Sequence, residues 1–295
     1  MAYGAPSSED EIEAYLTDIR GGRKPSAEAV CGLKERYRKI GGRSPLLEIT
    51  RAQATALEKT LNSMGMMVRV YIGMKHWHPY IGEAVPRILG DGFRRITGLV
   101  LAPHYSSLSA GGYKQALEKA LEGLGQVQVD FIESWCDNPL FHQALAEKIK
   151  DSLRQFPESA KVQVIFTAHS LPDRILQQND PYPKQLQSSC EAVAKLSRID
   201  NWSFAYQSAG KTNEKWLGPD ILEALNELSL KGDTNNVLVV PIGFVADHLE
   251  ISYDIDIEAQ LFANVRGLNL RRTESLNASP AFINALADVV HKRLN

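Results

Sequence analysis

Short apolar runs rich in β-branched residues alternate with longer amphipathic stretches along most of this chain. VRVYIG (Val68–Gly73), ITGLVLAP (Ile96–Pro103), VQVDFIES (Val127–Ser134), VQVIFTA (Val162–Ala168), WSFAYQS (Trp202–Ser208) and VLVVPIGF (Val237–Phe244) read as strands. Between them Asn138–Gln155, Pro183–Leu196 and Pro219–Leu230 carry apolar residues at helical spacing. Strands alternating with helices of this length predict βαβ units, hence an α/β fold of parallel sheets flanked by helices on both faces. The alternation begins afresh near Val162, after the polar segment Phe156–Lys161. Two α/β halves are therefore expected, residues 1–156 and 157–295, with a cleft between them.

Composition narrows the classes of function. A formal net charge of −2 argues against a nucleic-acid binder driven by bulk electrostatics. No apolar run is long enough to span a bilayer, and the first residues lack the basic-then-apolar layout of a signal peptide. Cys31, Cys136 and Cys190 are odd in number and far apart, which suits free thiols rather than a disulfide framework or a CxxC metal site. A cytoplasmic, reducing location is the expectation.

In parallel α/β folds ligands sit beyond the carboxyl ends of the strands, so the residues just after strands are read most closely. His104 follows LVLAP and His169 follows VIFTA. A neutral imidazole is both a ligand for ferrous iron and a proton acceptor near neutral pH, although a lone strand-end histidine is more often a structural hydrogen-bonder. After VVPIGF comes ADHLEISYDIDIEAQ. If Ala246–Phe262 is one helix, Glu250, Asp254 and Glu258 recur every four residues on one face, with Asp247 in the same first turn. Such a ladder can be a solvated face. The apolar lead-in instead predicts a partly buried Glu250, and a buried carboxylate needs a metal, a proton or a cation. Near the start, Arg20, Arg23, Lys24, Arg36, Arg38, Lys39 and Arg43 cluster around the glycine pairs 21–22 and 41–42. Arginines beside flexible turns suit carboxylate or phosphate recognition, with an ordinary basic surface as the alternative. Neither GxGxxG nor GxxxxGK[ST] occurs, so a dinucleotide or P-loop reading lacks its main support.

Taken in order along the chain, these strings resemble ferrochelatases. TAHSLP resembles the family's iron-site histidine motif, and NDPYP (Asn179–Pro183) its following GDPYP segment, with Asn for Gly. YQSAGKTNEKWLGP resembles its Q-S-x-G…W-L-x-P block, and GFVADHLEISYDIDIE the segment holding the metal-site glutamate. MAYGAP resembles the MAYGTP start of the Gram-positive bacterial enzymes that use coproporphyrin III, and IRGGRKP, ERYRKIGGRSPL and GMKHWHP look like the same group.

The resemblance implies a chelatase fold of two Rossmann-like halves and a lyase that inserts ferrous iron into coproporphyrin III, giving coproheme in heme biosynthesis. The alternatives are a ferrochelatase acting on protoporphyrin IX and a non-catalytic porphyrin- or heme-binding protein on the same fold. It further implies that His169 and Glu250 are catalytic and bind iron, that Tyr3 approaches the product iron from the opposite face, and that Tyr3, Arg20, Arg36, Tyr37, Ser44 and Tyr113 contact the porphyrin. Asp254 and Glu258 would continue an acidic line that carries iron or protons. No organic cofactor is expected, and three scattered cysteines cannot supply an iron–sulfur cluster. The expected partners are the porphyrin, ferrous iron and a downstream coproheme-processing enzyme, with no nucleic acid, no membrane insertion and a monomeric state. Members of the family carry a short apolar strand ahead of the MAYG string. It would be a central strand of the first sheet, and this chain opens at Met1 without it, which bears on the stability of the first half or on the completeness of the N-terminus.

Overall fold

The computed structural model describes residues 1–294. Helices α1 (Ile12–Ile19), α2 (Ala27–Lys39), α3 (Leu46–Ser63) and α4 (Ile81–Gly90) precede strand β1 (Arg95–Leu99). Then come α5 (Ala110–Leu121), β2 (Gln128–Ile132), α6 (Pro139–Leu153), β3 (Val162–His169), α7 (Tyr182–Ser197), β4 (Trp202–Gln207), α8 (Ile221–Lys231) and β5 (Asn236–Val240). The short helices α9 (Leu249–Ser252) and α10 (Gln260–Val265) flank a π-helical segment, Asp254–Ala259. Strand β6 (Asn269–Arg272) and helix α11 (Pro280–Leu294) complete the described chain.

The second half is built on a four-stranded sheet of order β4-β3-β5-β6, with every pair parallel. Alternation along each strand sends side chains to both faces. Val164, Phe166, Ala168, Leu238 and Val240 enter the core formed with α6, α7 and α11, whereas Ile165, Val237 and Val239 pack with α8 and the helical segment after β5. Burial on both faces explains why these strands read as unbroken apolar runs. The helices start where local chemistry allows it. Asn138 accepts from the amides of Leu140 and Phe141 with Pro139 in the first turn of α6, and a reciprocal Asp220–Glu223 box caps α8.

The first half differs from expectation. Its sheet has two parallel strands, β1 and β2, and the predicted strand Val68–Gly73 is extended but joins no ladder. The backbone of Val68 is held by the Asn62 side chain, and the Val70 amide donates to Glu58, both on α3. Between that segment and β1 lies an apolar slot of about 550 Å³.

Two further corrections concern the second half. Strand β6, NLRR, was not expected, because its polar edge position hides the usual apolar signal. The segment Ala246–Phe262 is not one regular helix: it breaks into α9, the π-helical segment and α10. The residue 156/157 boundary falls between α6 and β3, yet one core cluster crosses it. Leu57 and Leu61 of α3 and Phe141 of α6 pack with Phe282 and Leu286 of α11.

Candidate active site

A cleft of about 320 Å³ opens where the ends of β3 and β5 meet the first residues of the chain. Tyr3, Tyr37, Ser44, Tyr113, His169 and Glu250 all line it. Two glycines permit the close approach of its walls. A Cβ at Gly243 would stand 2.6 Å from the Ala168 Cβ, and Gly4, at φ +97°, leaves only 2.8 Å to the Trp77 backbone nitrogen.

His169 is the last residue of β3, in register with Gln207 of β4. Its Nδ1 faces the Ser170 carbonyl, which assigns the proton to Nδ1 and turns Nε2 toward the cleft. Its own carbonyl accepts from the Tyr182 hydroxyl at 3.0 Å. Nε2 lies 3.4 Å from Glu250 Oε1, and the second Glu250 oxygen lies 3.5 Å from His248 Nε2. Burial disfavours a charged His169, but the Glu250 carboxylate outweighs it and holds the imidazole at about 9. Glu250 moves the opposite way: burial would raise it, yet His169 and His248 keep it well below the usual carboxylate range. The pair therefore rests as imidazolium and carboxylate at neutral pH. Both side chains remain about one-third exposed, toward the cleft.

The acidic ladder has a different shape from the regular helix expected. Glu250 sits in α9, Asp254 is buried at the start of the π-helical segment, and Glu258 is exposed near its end. Ser208, in the left-handed region at φ +60°, donates to Asp254 Oδ2 at 2.5 Å, and Arg36 Nη1 lies 3.6 Å from Oδ1. Burial raises the Asp254 carboxyl to about 6 against the pull of Ser208 and Arg36, with Glu250 adding to the rise. Asp247 does not join this line. It accepts from Ser275 at 2.6 Å and Asn277 at 2.8 Å, with Arg272 at 3.4 Å.

On the opposite wall Tyr3 is 43% exposed, with its ring 4.7 Å from that of His76. Burial first, and Glu250 second, raise the Tyr3 hydroxyl above its usual range; Tyr37 is shifted the same way by the same two causes. Tyr113 is raised too, by burial and then by Tyr3 and Glu250.

Arg36 and Arg20 lie outside the cleft lining. Arg36 stacks 4.9 Å from the Tyr253 ring centre beside its Asp254 contact, while Arg20 is exposed at the end of α1 and pairs with no carboxylate among the described residues. His104, the other strand-end candidate, is 2% exposed and bonded through Nε2 to Ser189 at 3.0 Å. Burial, with His142 adding to it, lowers it to about 3, so it stays neutral.

Sequence reading missed three contributors. His248 braces Glu250 from the second side. Gln207 donates to the Glu250 carbonyl at 2.9 Å. Lys75 lines the cleft with its ammonium 5.4 Å from the Tyr113 ring centre, and burial lowers its pKa. Their signals lay inside quoted strings (ADHLE, YQSAG, GMKHWHP) but were not distinguishable from neighbours without contacts.

Comparison with known proteins places this geometry. The ferrochelatase family model matches residues 1–294. A ferrochelatase of Herpetosiphon aurantiacus is 45% identical over 98% of this chain and 96% of its own length. A coproporphyrin III ferrochelatase of Geobacillus thermodenitrificans is 44% identical over 100% of this chain and 94% of its own length. Among solved structures, SirB from Bacillus subtilis with Fe3+ superposes with a TM-score of 0.58 at 14% identity, over 82% of this chain and 88% of that one. CbiX, described as the terminal enzyme of siroheme biosynthesis in denitrifying bacteria, gives 0.59 at 12% identity over 85% and 94%. At such identities these two establish the shared chelatase fold only. With a family match over the whole described length and full-length relatives above 40% identity, the chain belongs to the ferrochelatase family.

Proposed function

We propose that this enzyme inserts ferrous iron into coproporphyrin III, with the His169–Glu250 pair as the site of metal entry. The observation that carries this reading is the contact of 3.4 Å between Nε2 and Oε1 at the floor of a cleft whose opposite wall bears Tyr3. The reaction takes Fe2+ and a porphyrin with two pyrrole N–H groups and yields the iron porphyrin and two protons. Iron displaces the shared proton of the pair, leaving a neutral imidazole and a carboxylate as ligands. Because Glu250, outweighing the opposing effect of burial, holds that proton to about pH 9, metal and proton compete below it, and metal binding strengthens as pH rises toward 9. With the buried Asp254 next along the wall and the exposed Glu258 beyond it, the acidic line supplies acceptors for departing protons.

Tyr3, Tyr37, Ser44, Tyr113 and Lys75 form the surface against which the macrocycle lies. Strain that exposes the pyrrole lone pairs comes from binding the propionates, remote from the reacting nitrogens. The cations nearest to that task are Lys75 in the cleft and Arg20 and Arg36 beyond its rim. Four propionates make fuller use of them than two, and the coproporphyrin III ferrochelatase named above, alike over its whole length, supports the same choice. No organic cofactor and no iron–sulfur cluster enter this scheme; Cys136 and Cys190 are buried and Cys31 is exposed, all as free thiols. Among the described residues no helix is long and apolar enough to cross a membrane.

Anaerobic assay of Fe2+ insertion with coproporphyrin III and protoporphyrin IX tests the reading. The expected result is a kcat/KM about tenfold or more in favour of coproporphyrin III. Equal or reversed preference would transfer the assignment to protoporphyrin IX. Tight binding of both porphyrins without insertion would make the protein a carrier.

A further inference from the structure

The NDPYP string (Asn179–Pro183) takes no part in the metal chemistry described above, yet its aspartate joins the two halves. Asp180 stands just ahead of α7. Its Oδ2 accepts from Ser106 Oγ at 3.0 Å, from the Ser107 amide at 2.8 Å and from Ser107 Oγ at 3.0 Å. Its Oδ1 accepts from the Tyr182 amide at 3.1 Å, at the positive end of a 16-residue helix. Helix capping explains only the Tyr182 bond. The bonds from Ser106 and Ser107 cross between the halves and serve the turn that follows β1. A carboxylate accepts on both oxygens, whereas an amide of the same shape must turn its NH2 toward one set of these donors.

Further along α7 the grip is repeated. Gln185 Oε1 accepts from the Tyr105 amide at 2.7 Å, and Ser189 bonds His104 at 3.0 Å. Each residue from His104 to Ser107 is thus tied to one segment of the other half. Both ends of this clasp reach the cleft. Ser106 Oγ accepts from the Leu108 amide at 3.2 Å, and the Ser106 carbonyl accepts from the Ser109 and Gly111 amides at 3.1 Å. The hold on Ser106 is thereby passed to Leu108 and Ser109, which line the cleft, and to the start of α5, which carries Tyr113. On the other side Tyr182, two residues after Asp180, lines the cleft and donates to the His169 carbonyl at 3.0 Å. Asp180 lies behind that lining, between the wall of the first half and the histidine of the second.

We propose that Asp180 is a positioning residue for metal insertion, clasping the Tyr105–Ser109 turn to α7 and so fixing the porphyrin-facing wall at a set distance from His169. The inference rests on the reading of this cleft as the porphyrin site. Releasing the clasp leaves the His169–Glu250 pair in place, since neither side chain bonds to Asp180, Ser106 or Ser107. It does free the wall that carries Leu108, Ser109 and Tyr113. A macrocycle seated about 1 Å out of place loses its alignment with the entering metal, and turnover falls with it.

The test separates porphyrin binding from metal binding in the intact chain. Asp180→Asn is expected to raise the Kd for metal-free coproporphyrin III about tenfold in a fluorescence titration. It should lower kcat for Fe2+ insertion about tenfold and leave KM for Fe2+ within about twofold. Ser107→Ala, on an exposed side chain, should raise the same Kd about threefold with an unchanged thermal midpoint. In the double variant the effects should fall short of their product, because both changes remove one shared bond. An unchanged porphyrin Kd in both single variants would overturn the proposal. So would equal rises in porphyrin Kd and Fe2+ KM, the mark of a general structural loss, or effects that multiply in the double variant. If Asp180→Asn does not fold, Ser106→Ala combined with Ser107→Ala decides: the same split between porphyrin Kd and Fe2+ KM upholds the clasp, and its absence overturns it. A wild type that binds neither porphyrin would overturn the reading of the cleft and the proposal with it, whereas variants that bind as well as a binding wild type overturn the proposal alone.

Discussion

The two halves place a histidine after a parallel strand, and the two histidines have opposite fates. His169 ends β3 at the edge of a cleft, where a carboxylate at 3.4 Å holds its proton to about pH 9. His104 follows β1 but is enclosed by Ser189, Phe141 and Tyr182, and burial keeps it neutral down to about pH 3. The same residue in the same topological position thus becomes a reactive group or a packing element according to its neighbours. The difference extends to the sheets. The second is four strands wide and covered on both faces, a rigid base for chemistry; the first has two strands, an apolar slot and the aromatic residues that line the cleft. On this view the second half sets turnover and the first sets substrate binding.

The sharpest way to break that division is His169→Ala. Turnover is expected to fall by about a hundredfold or more, the range of a lost general base, while the porphyrin Kd stays within about threefold. Loss of porphyrin binding in a fluorescence titration would show that the second half also holds the macrocycle. Next in size is a graded series on the acidic wall. Glu250→Gln should approach the His169→Ala loss, Asp254→Asn should cost about tenfold, and Glu258→Gln, on an exposed side chain, should leave kcat within about twofold. Equal loss from all three would mean that the line acts as one unit despite its uneven burial.

The first half is probed through its cations. Arg36→Ala should raise KM for coproporphyrin III by about tenfold and Arg20→Ala by about threefold, since exposed charges are screened. Both effects should shrink for protoporphyrin IX and in added salt. Unchanged constants for both variants would remove these arginines from propionate binding.

The smallest expected effect concerns His104. Its folded-state value of about 3 is below the ordinary value near 6.5, so the unfolded chain binds the proton more readily as pH falls. Stability tied to this group is full above about pH 6.5 and declines toward pH 3, by about 1 kcal/mol between pH 7 and 5.5. Asp254, raised to about 6, acts with the opposite sign and gains stability as pH falls through that value. The measurement is therefore a difference between wild type and His104→Gln in denaturant at each pH. A constant difference across that range would show that His104 does not titrate on unfolding.

Much of the cleft was legible because a polar residue at a strand end leaves a local mark: an apolar run, a turn, then a residue out of character. His169 and Glu250 carried that mark, and the tyrosines and Ser44 were placed through ordered resemblance. The structure brings Tyr3, Tyr37, Ser44, Tyr113, His169 and Glu250 to one cleft, and leaves Arg20 and Arg36 outside its lining. His248, Gln207 and Lys75 escaped notice because their importance is a matter of what they touch. The even ladder from Glu250 to Glu258 was misread for a related reason. A four-residue period assumes regular helix geometry, and the π-helical segment changes which side chains share a face.

By itself, the pattern of apolar runs and amphipathic stretches determined the α/β class, the parallel sheets and five of the six strands, because periodicity and burial on two faces are written residue by residue. Tertiary structure alone decided the rest. Val68–Gly73 has the composition of a strand, yet a strand is defined by its partner, and this segment joins no ladder. His104 and His169 have similar sequence settings, yet protonation depends on whether a carboxylate or an apolar wall closes over the ring. Both outcomes arise from groups distant in sequence and adjacent in space, which no local pattern can specify.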